Sequence, residues 1–376
     1  MMNFHIKTLV FNESYINDFL NYSFPSLLSP NNFPAIGKIA NVEYHVYTRS
    51  QQEVERITHE LAKFNIAMDL MAYVRIAPIP EIHFNSGIAT HAQENFFEYF
   101  TRHNSGDTPI LFSNSDVIWS DGSLSYIAKS IEQGSIAVFP PIMRGATETF
   151  TQELDAIKKD NVITLPPLLA NQLLLKHFSP LFGTYNHKSQ HYPEHAELFF
   201  VPVGTEGVLF YYSTRPFFAF VPGKLQIICT SMINEDFYNH KMDTIHSSMD
   251  CLGISLSPLS QNLDWIRDGF PFDPCHIKMF MNDSRWSSAY SFNLECLKHP
   301  TRIPIVDNIN EELWQSIEKE VRDTIIKEII EYNGGKREHT RNPISDKQLQ
   351  IEALEWLEPV INGRFSQAVL ELLRKQ

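Results

Sequence analysis

Pro109-Ile110-Leu111-Phe112-Ser113-Asn114-Ser115-Asp116-Val117-Ile118-Trp119-Ser120-Asp121-Gly122-Ser123 is the stretch on which the fold reading turns. The apolar run Ile110–Phe112 is short enough for a buried strand, and it stops at a small polar cluster that contains Asp116. The apolar triplet Val117–Trp119 follows, then a helix-start signal at Ser120–Ser123. A buried strand that delivers a carboxylate is costly, because an unpaired charge is expensive to take out of water. Ligands of open α/β sheets gather at the carboxyl ends of strands. The placement of Asp116 therefore points to a metal or polar-ligand site.

The flanking sequence alternates in the same way. Ile6–Phe11 reads as a buried strand, Asn12-Glu13-Ser14 as its punctuation, and Tyr15–Leu28 as a helix by its apolar spacing. Residues 29–36 read as a turn-rich loop, Tyr44–Thr48 as a second strand, and Gln51–Phe64 as a charged helix. Ala67–Ile76 reads as a third strand and 88–103 as a helix. Ser123–Gln133 follows as a helix and Ile136–Phe139 as a strand. Strands alternating with helices of this length imply a mostly parallel sheet flanked by helices.

The texture then changes. Thr147–Lys158 and Pro167–His177 have helical patterns. Leu198–Val203, Gly207–Ser213, Phe217–Val221 and Leu225–Thr230 are closely spaced β runs that suggest hairpins. Residues 310–332 form an amphipathic helix with Trp314, Ile317, Val321, Ile325 and Ile329 on one stripe, and a second helix spans roughly 345–374. This divides the chain into a domain at 1–300, with halves at about 1–145 and 146–300, and a helical extension at 301–376. The last helices either cap the sheet or mediate a homodimer.

Composition excludes several classes. The 376 residues carry 31 basic and 44 acidic side chains, a net charge of −13, which opposes nonspecific nucleic-acid binding through the whole surface. Cys229, Cys251, Cys275 and Cys296 form no CxxC pair and read as reduced core thiols. No uncharged apolar run reaches membrane-spanning length, and the N-terminus lacks the apolar region of a signal peptide. A cytoplasmic location, free or at the inner face of the membrane, is expected. With 15 glycines and no GxGxxG or GxxxxGK[ST] loop, a metal ion is the more natural way to neutralise a bound diphosphate.

The candidate chemical groups fall into two constellations. Three strand ends converge in a parallel sheet, giving a crevice lined by Phe11, Asn12, Tyr47, Thr48, Asn114 and Asp116, with Ser115 between the last two. An aromatic there could stack a nucleobase. The competing reading of Asn114-Ser115-Asp116 is an Asx-turn that closes the strand. Arg144 follows a strand and could meet a diphosphate charge, or pair with Glu148 four residues on.

The second constellation is residues 231–250, which hold Glu235, Asp236, His246 and Asp250. Four acids and two histidines within 20 residues after a strand could serve acid–base or metal-binding chemistry. A polar loop and helix cap is the competing reading. His187, His191 and His195 have the spacing of a helical face, but Pro193 interrupts it and a zinc site there is the weaker reading.

Several of these segments resemble a family. Thr8–Tyr15, Phe24–Ala35, Tyr44–Thr48, Asp116–Ser123, Arg144–Glu148, Ile245–Asp250 and Phe272–Ile277 together look like a group of little-characterised bacterial proteins classed as GT-A-fold glycosyltransferases. The resemblance covers most of residues 6–310 and implies a GT-A-like, Rossmann-like sheet. It implies transfer of a sugar from a nucleoside diphosphate sugar to an acceptor glycan or protein, with Mn²⁺ or Mg²⁺ as cofactor. GT-A enzymes carry Asp-x-Asp where this chain has Asn114-Ser115-Asp116, so Asp116 is left as the main metal ligand. The resemblance also implies a carboxylate of the Glu235–Asp236 pair as the base toward the acceptor hydroxyl, and His246 and Asp250 as late metal ligands. A nucleotidyltransferase-like phosphate-transfer enzyme would use similar parts on a nucleoside triphosphate. A non-catalytic binding protein would keep the sheet and lose the chemistry.

Overall fold

The computed structural model describes residues 2–64, 74–78, 96, 106–193, 197–212, 219–222, 227–229, 232–233, 240–260, 269–282, 290–332, 346–355 and 367–375. Its first strands are β1 (Met2–Leu9), β2 (Ala40–Thr48), β3 (Val74–Pro78) and β4 (Ile110–Phe112). They pair in parallel in the order β3-β2-β1-β4. The order reverses at β1, so the crevice beyond the carboxyl ends of β1 and β4 is a topological switch point. Phe4 and Ile6 of β1 and Val42, Tyr44 and Val46 of β2 are buried in one core, which is the period-two signature of strands packed on one side by helices.

β5 (Val117–Trp119) leaves this sheet for another. β6 (Ala137–Phe139) and β7 (Ile142–Ala146) follow, then the hairpin of β8 (Leu198–Val203) and β9 (Gly207–Tyr212). β10 (Ala219–Phe220) does not join the hairpin region that the spacing suggests. It enters the main sheet antiparallel between β4 and β6. β11 (Ile227–Cys229) and β12 (Met232–Ile233) form a small antiparallel pair, and β13 (Met242–Thr244) closes the main sheet beside β6. β14 (Gly253–Ser257) lies between β5 and β7, and β15 (Thr301–Pro304) adds to the β8–β9 hairpin.

β5 is the joint between two cores. Val117 and Trp119 pack into the core of the main sheet, whereas Ile118 packs into the core built on β8, β9 and β14. Both faces of the triplet are covered, which is why its sequence is continuously apolar. Each such side chain contributes about 1.5–3 kcal/mol of burial. The carboxylate of Asp116 is carried into place by a short strand whose three side chains are all fully buried.

The helix predicted from Tyr15 runs through three consecutive segments, Glu13–Asp18, the π-helical turn Phe19–Ser23, and Phe24–Leu27. Pro25 has no N–H to give Asn21, and Lys158 Nζ donates to that carbonyl instead at 3.1 Å. Residues 29–36 contain a short helix, Phe33–Ile36, within the predicted loop. Helices at Gln51–Leu61, Ser123–Glu132, Thr147–Ile157 and Pro167–Lys176 match the predicted segments within a few residues. The predicted helix at 88–103 lies outside the described residues except for Phe96.

The stripe predicted at 310–332 faces inward. Trp314, Val321 and Ile329 are buried, with Ile317 and Ile325 packed beside them, in the core that also holds β8 and β9. Glu206 accepts from the Trp314 indole at 2.9 Å. The final segment is helical over Asp346–Glu355 and Gln367–Lys375, and Leu354, Val369, Leu370 and Leu373 join the same core. Residues 301–304 and these helices therefore share a core with the preceding residues. Among the described residues no helix is long and apolar enough to cross a membrane. Cys251, Cys275 and Cys296 are buried.

Candidate functional site

Asp116 leaves the carboxyl end of β4 and lies just before β5. Its main-chain carbonyl accepts from Leu256 N at 2.9 Å, which locks it against β14. Ser255 donates its hydroxyl to Asp116 Oδ2 at 2.6 Å. The other carboxylate oxygen, Oδ1, is sealed from solvent and has no hydrogen-bond partner. An orphaned buried acceptor of this kind is rare and calls for an explanation by an ion, a water or a ligand. Burial raises the Asp116 carboxyl above its usual range, and the Ser255 hydroxyl and the Arg144 charge pull it partly back.

Arg144 reaches the same place from β7. It is in register with Ser255 on β14, so the two share a face with Ser257 two residues on. Its guanidinium donates to Ser257 Oγ at 3.2 Å and rests over the Phe182 ring at 5.6 Å. The pair with Glu148 does not form among the resolved contacts. The Glu148 carboxylate instead accepts from Leu259 N at 2.9 and 3.1 Å.

The helix after β1 adds a second acid, which the sequence motif does not contain. Asp18 sits where that helix passes into its π-helical turn. Burial pushes the Asp18 carboxyl up to about 6, and the charge of Asp116 pushes in the same direction. Tyr15, one turn earlier, is raised by burial and by Asp116 and lowered by Arg144. Asp18, Tyr15, Asp116 and Arg144 thus form one electrostatic cluster, walled by Ser255 and Ser257, at the switch-point edge of the sheet. Its donors are carboxylate and hydroxyl oxygens, the set that hard divalent cations prefer.

The raised Asp18 pKa has a pH consequence. The folded state holds its proton more tightly than the unfolded chain, so stability from this group is fully present below pH 3.8 and is lost as pH rises through about 6. In chemical denaturation across pH 4–6.5 the stability of the wild type relative to Asp18→Asn should fall over that window, against an opposite background from His45, His177 and His187, which burial lowers to about 4. An unchanged slope in the variant would separate Asp18 from the cluster.

Asn12 holds the turn at the end of β1 at φ 64° and ψ 154°, a region costing a non-glycine residue about 1–3 kcal/mol. Arg49 donates to its Oδ1 at 2.9 Å, its own N–H reaches Glu53 Oε1 at 3.3 Å, and Arg49 and Glu53 are themselves an ion pair at 3.0 Å. Strained backbone of this kind concentrates at ligand sites. Asn12→Gly should retain or raise the urea midpoint, because glycine adopts this backbone without strain. A clear loss of stability would show that the Arg49 contact outweighs the strain.

Other predicted residues are placed differently. Phe11 is buried against Tyr15, with ring centroids 5.8 Å apart, and so lies in the wall of the crevice. Asn114 is half-buried and its carbonyl accepts from Ser23 Oγ at 3.4 Å, while Ser115 is buried. Thr48 is buried and donates to Ser50 O at 3.1 Å, which ties off the start of the next helix. The Tyr47 side chain is on the other face of the sheet, stacked on His45 at 6.0 Å and receiving Lys7 Nζ at 3.3 Å. Strand alternation sends Tyr47 there with Glu43 and His45, away from the core residues Tyr44 and Val46.

The late metal ligands are not part of the Asp116 cluster. His246 is exposed and interacts with Thr244 Oγ1 at 3.0 Å and with the His299 carbonyl at 3.1 Å, beyond β13 at the far edge of the sheet. Asp250 is exposed, and its carboxyl is raised by burial and by Asp243. Glu235 and Asp236 lie outside the described residues. His187 Nδ1 contacts the Phe200 carbonyl at 3.0 Å and His191 Nε2 lies 3.4 Å from Glu352, so these two histidines serve separate contacts; His195 is outside the described residues.

No family model matches the chain, and no curated protein matches it. Among solved structures, the crystal structure of S. aureus TarS is 18% identical over 38% of this chain and 22% of that chain, with a TM-score of 0.23. The chain spans about a fifth of the length of TarS, and so slight a likeness carries no argument.

Proposed function

We propose that the protein is a divalent-metal-dependent glycosyltransferase of GT-A type, taking a nucleoside diphosphate sugar as donor and a glycan or protein as acceptor. The observation that carries this reading is the unpartnered Oδ1 of Asp116, buried beside a second carboxylate and an arginine at the switch-point edge of the sheet. The strand order β3-β2-β1-β4 and the segments quoted for the family resemblance support it.

Asp116 is the residue proposed to hold Mn²⁺ or Mg²⁺, with Asp18 as the adjacent carboxylate. When bound, the ion supplies neutralisation of donor diphosphate charge. Arg144 is proposed to meet the same diphosphate, its guanidinium held in orientation by Ser257 and Phe182. Asn12 and Asn114 offer amide groups to the donor's ribose and phosphates from the ends of β1 and β4, and Ser115 and Phe11 support that edge. Glu235 and Asp236, just beyond β12, remain the proposed general base toward the acceptor hydroxyl.

A ligand panel tests the substrate class. UDP-, GDP- and CMP-sugars with Mn²⁺ should raise the melting temperature, and nucleoside triphosphates should not raise it further. Ligand at 100 times its dissociation constant stabilises by about 2.7 kcal/mol, which thermal shift resolves readily. Stabilisation by triphosphates alone would contradict glycosyl transfer and favour phosphate transfer.

A further inference from the structure

The outer face of β1 and β2 carries a group of side chains that glycosyl transfer does not use. His5 and Glu43 are register partners across the two strands, and His45 stands two residues beyond Glu43 on the same face. One donor atom from each of the three lies within 4.8 Å of the others. His45 Nε2 and Glu43 Oε2 are 3.2 Å apart, and the two imidazoles are 5.3 Å apart and tilted by 57°. All three residues are half-buried.

We propose that His5, Glu43 and His45 bind a divalent transition ion of the zinc class. Metal–ligand bonds of about 2.0–2.2 Å in a tetrahedral shell place donor atoms roughly 3.3–3.6 Å apart. The His45–Glu43 separation is already of that size, and His5 needs only a side-chain adjustment. Two imidazoles and one carboxylate suit zinc rather than magnesium, and three protein ligands leave a fourth position for water or another ligand. The strands that present the ligands are fixed by eight consecutive register pairs, so the site is built on rigid backbone.

Arg75 of β3 pairs with His45 in register and completes the row of positions on this face. The site is on the opposite face from the Phe4 and Ile6 core, and it does not depend on the Asp116 reading.

Full-length protein stripped with a chelator and titrated with Co²⁺ tests the assignment. The expected result is one equivalent bound with the intense visible bands of a four- or five-coordinate site, displaced by Zn²⁺. His45→Ala and His5→Ala should weaken binding more than about 100-fold, beyond the loss typical of an outer partner. Glu43→Gln, at a more exposed position, should weaken binding without altering the fold, as checked by circular dichroism. Asp116→Asn should leave this spectrum unchanged, which separates it from the proposed donor site. Absence of a tight Co²⁺ equivalent, or the pale spectrum of an octahedral oxygen site, would overturn the proposal. So would retention of wild-type affinity in Glu43→Gln and in both histidine variants.

Discussion

Asn32→Ala should destabilise the protein by about 3–5 kcal/mol, in the upper tail of single substitutions. Asn32 is fully buried, and its amide is used at every position. Nδ2 donates to Ser26 O at 3.0 Å and Ser120 O at 3.1 Å, and Oδ1 accepts from Gly122 N and Leu124 N, both at 3.1 Å. Gly122 begins the helix Ser123–Glu132 in a left-handed conformation, so the helix has no side-chain cap of its own. Asn32 supplies the cap from ninety residues upstream. Alanine leaves the Gly122 and Leu124 N–H groups without this acceptor, while the Ser26 and Ser120 carbonyls keep only the N–H groups of Ser29 and Ser123.

The neighbouring contacts extend this seam. Ser26 Oγ accepts from Trp119 N at 3.0 Å, and Asp121 accepts from the Ser29 hydroxyl and from Asn31 N at 3.0 Å. The segment from Ser26 to Asn32 therefore clamps the carboxyl end of β5 and the start of the helix that follows, at the other end of the strand from Asp116. Urea denaturation followed by circular dichroism checks the expectation, with Asn31→Ala as the exposed control expected to cost about 1 kcal/mol or less. A loss below 1 kcal/mol for Asn32→Ala would mean that water replaces the amide.

Asp116→Ala should lower metal-dependent donor hydrolysis by about 10³-fold or more, equivalent to roughly 4 kcal/mol of transition-state stabilisation. Asp116→Asn should fall by a similar factor while retaining a bond to Ser255, since the amide oxygen still accepts. The asparagine variant should also be at least as stable as the wild type, because it removes a carboxylate whose ionisation burial opposes. Initial rates with Mn²⁺ and melting temperatures of both variants make the comparison. Full activity in Asp116→Asn would remove the proposed metal ligand. Unfolding of the asparagine variant would make Asp116 a structural residue.

The legibility of this site was uneven for physical reasons. Asp116 could be found because the apolar runs before and after it are short and fully buried, leaving a lone acid between them. Asp18 could not, because it sits in an ordinary amphipathic helix and meets Asp116 only through the path of the π-helical turn. Ser255 and Ser257 lie on a strand whose Gly-Ile-Ser-Leu-Ser alternation is too brief to distinguish from loop, and its pairing with β5 and β7 is nonlocal. Position near a strand end alone puts Tyr47 in the crevice. Counting alternate residues from Tyr44 would have put it on the opposite face, and the same count would have aligned Glu43 and His45. The two-residue strand β10 shows the limit of pattern reading, since nothing so short states which sheet it will enter.

Asp116 is proposed to anchor a metal–diphosphate site at the carboxyl edge of β1 and β4. Crystals soaked with Mn²⁺ and either UDP or GDP measure this most directly. Anomalous density for Mn²⁺ is expected against Asp116 Oδ1, next to the diphosphate, with the Arg144 guanidinium on the phosphate side. Clear nucleotide density elsewhere on the molecule, with no ion at Asp116, would contradict it.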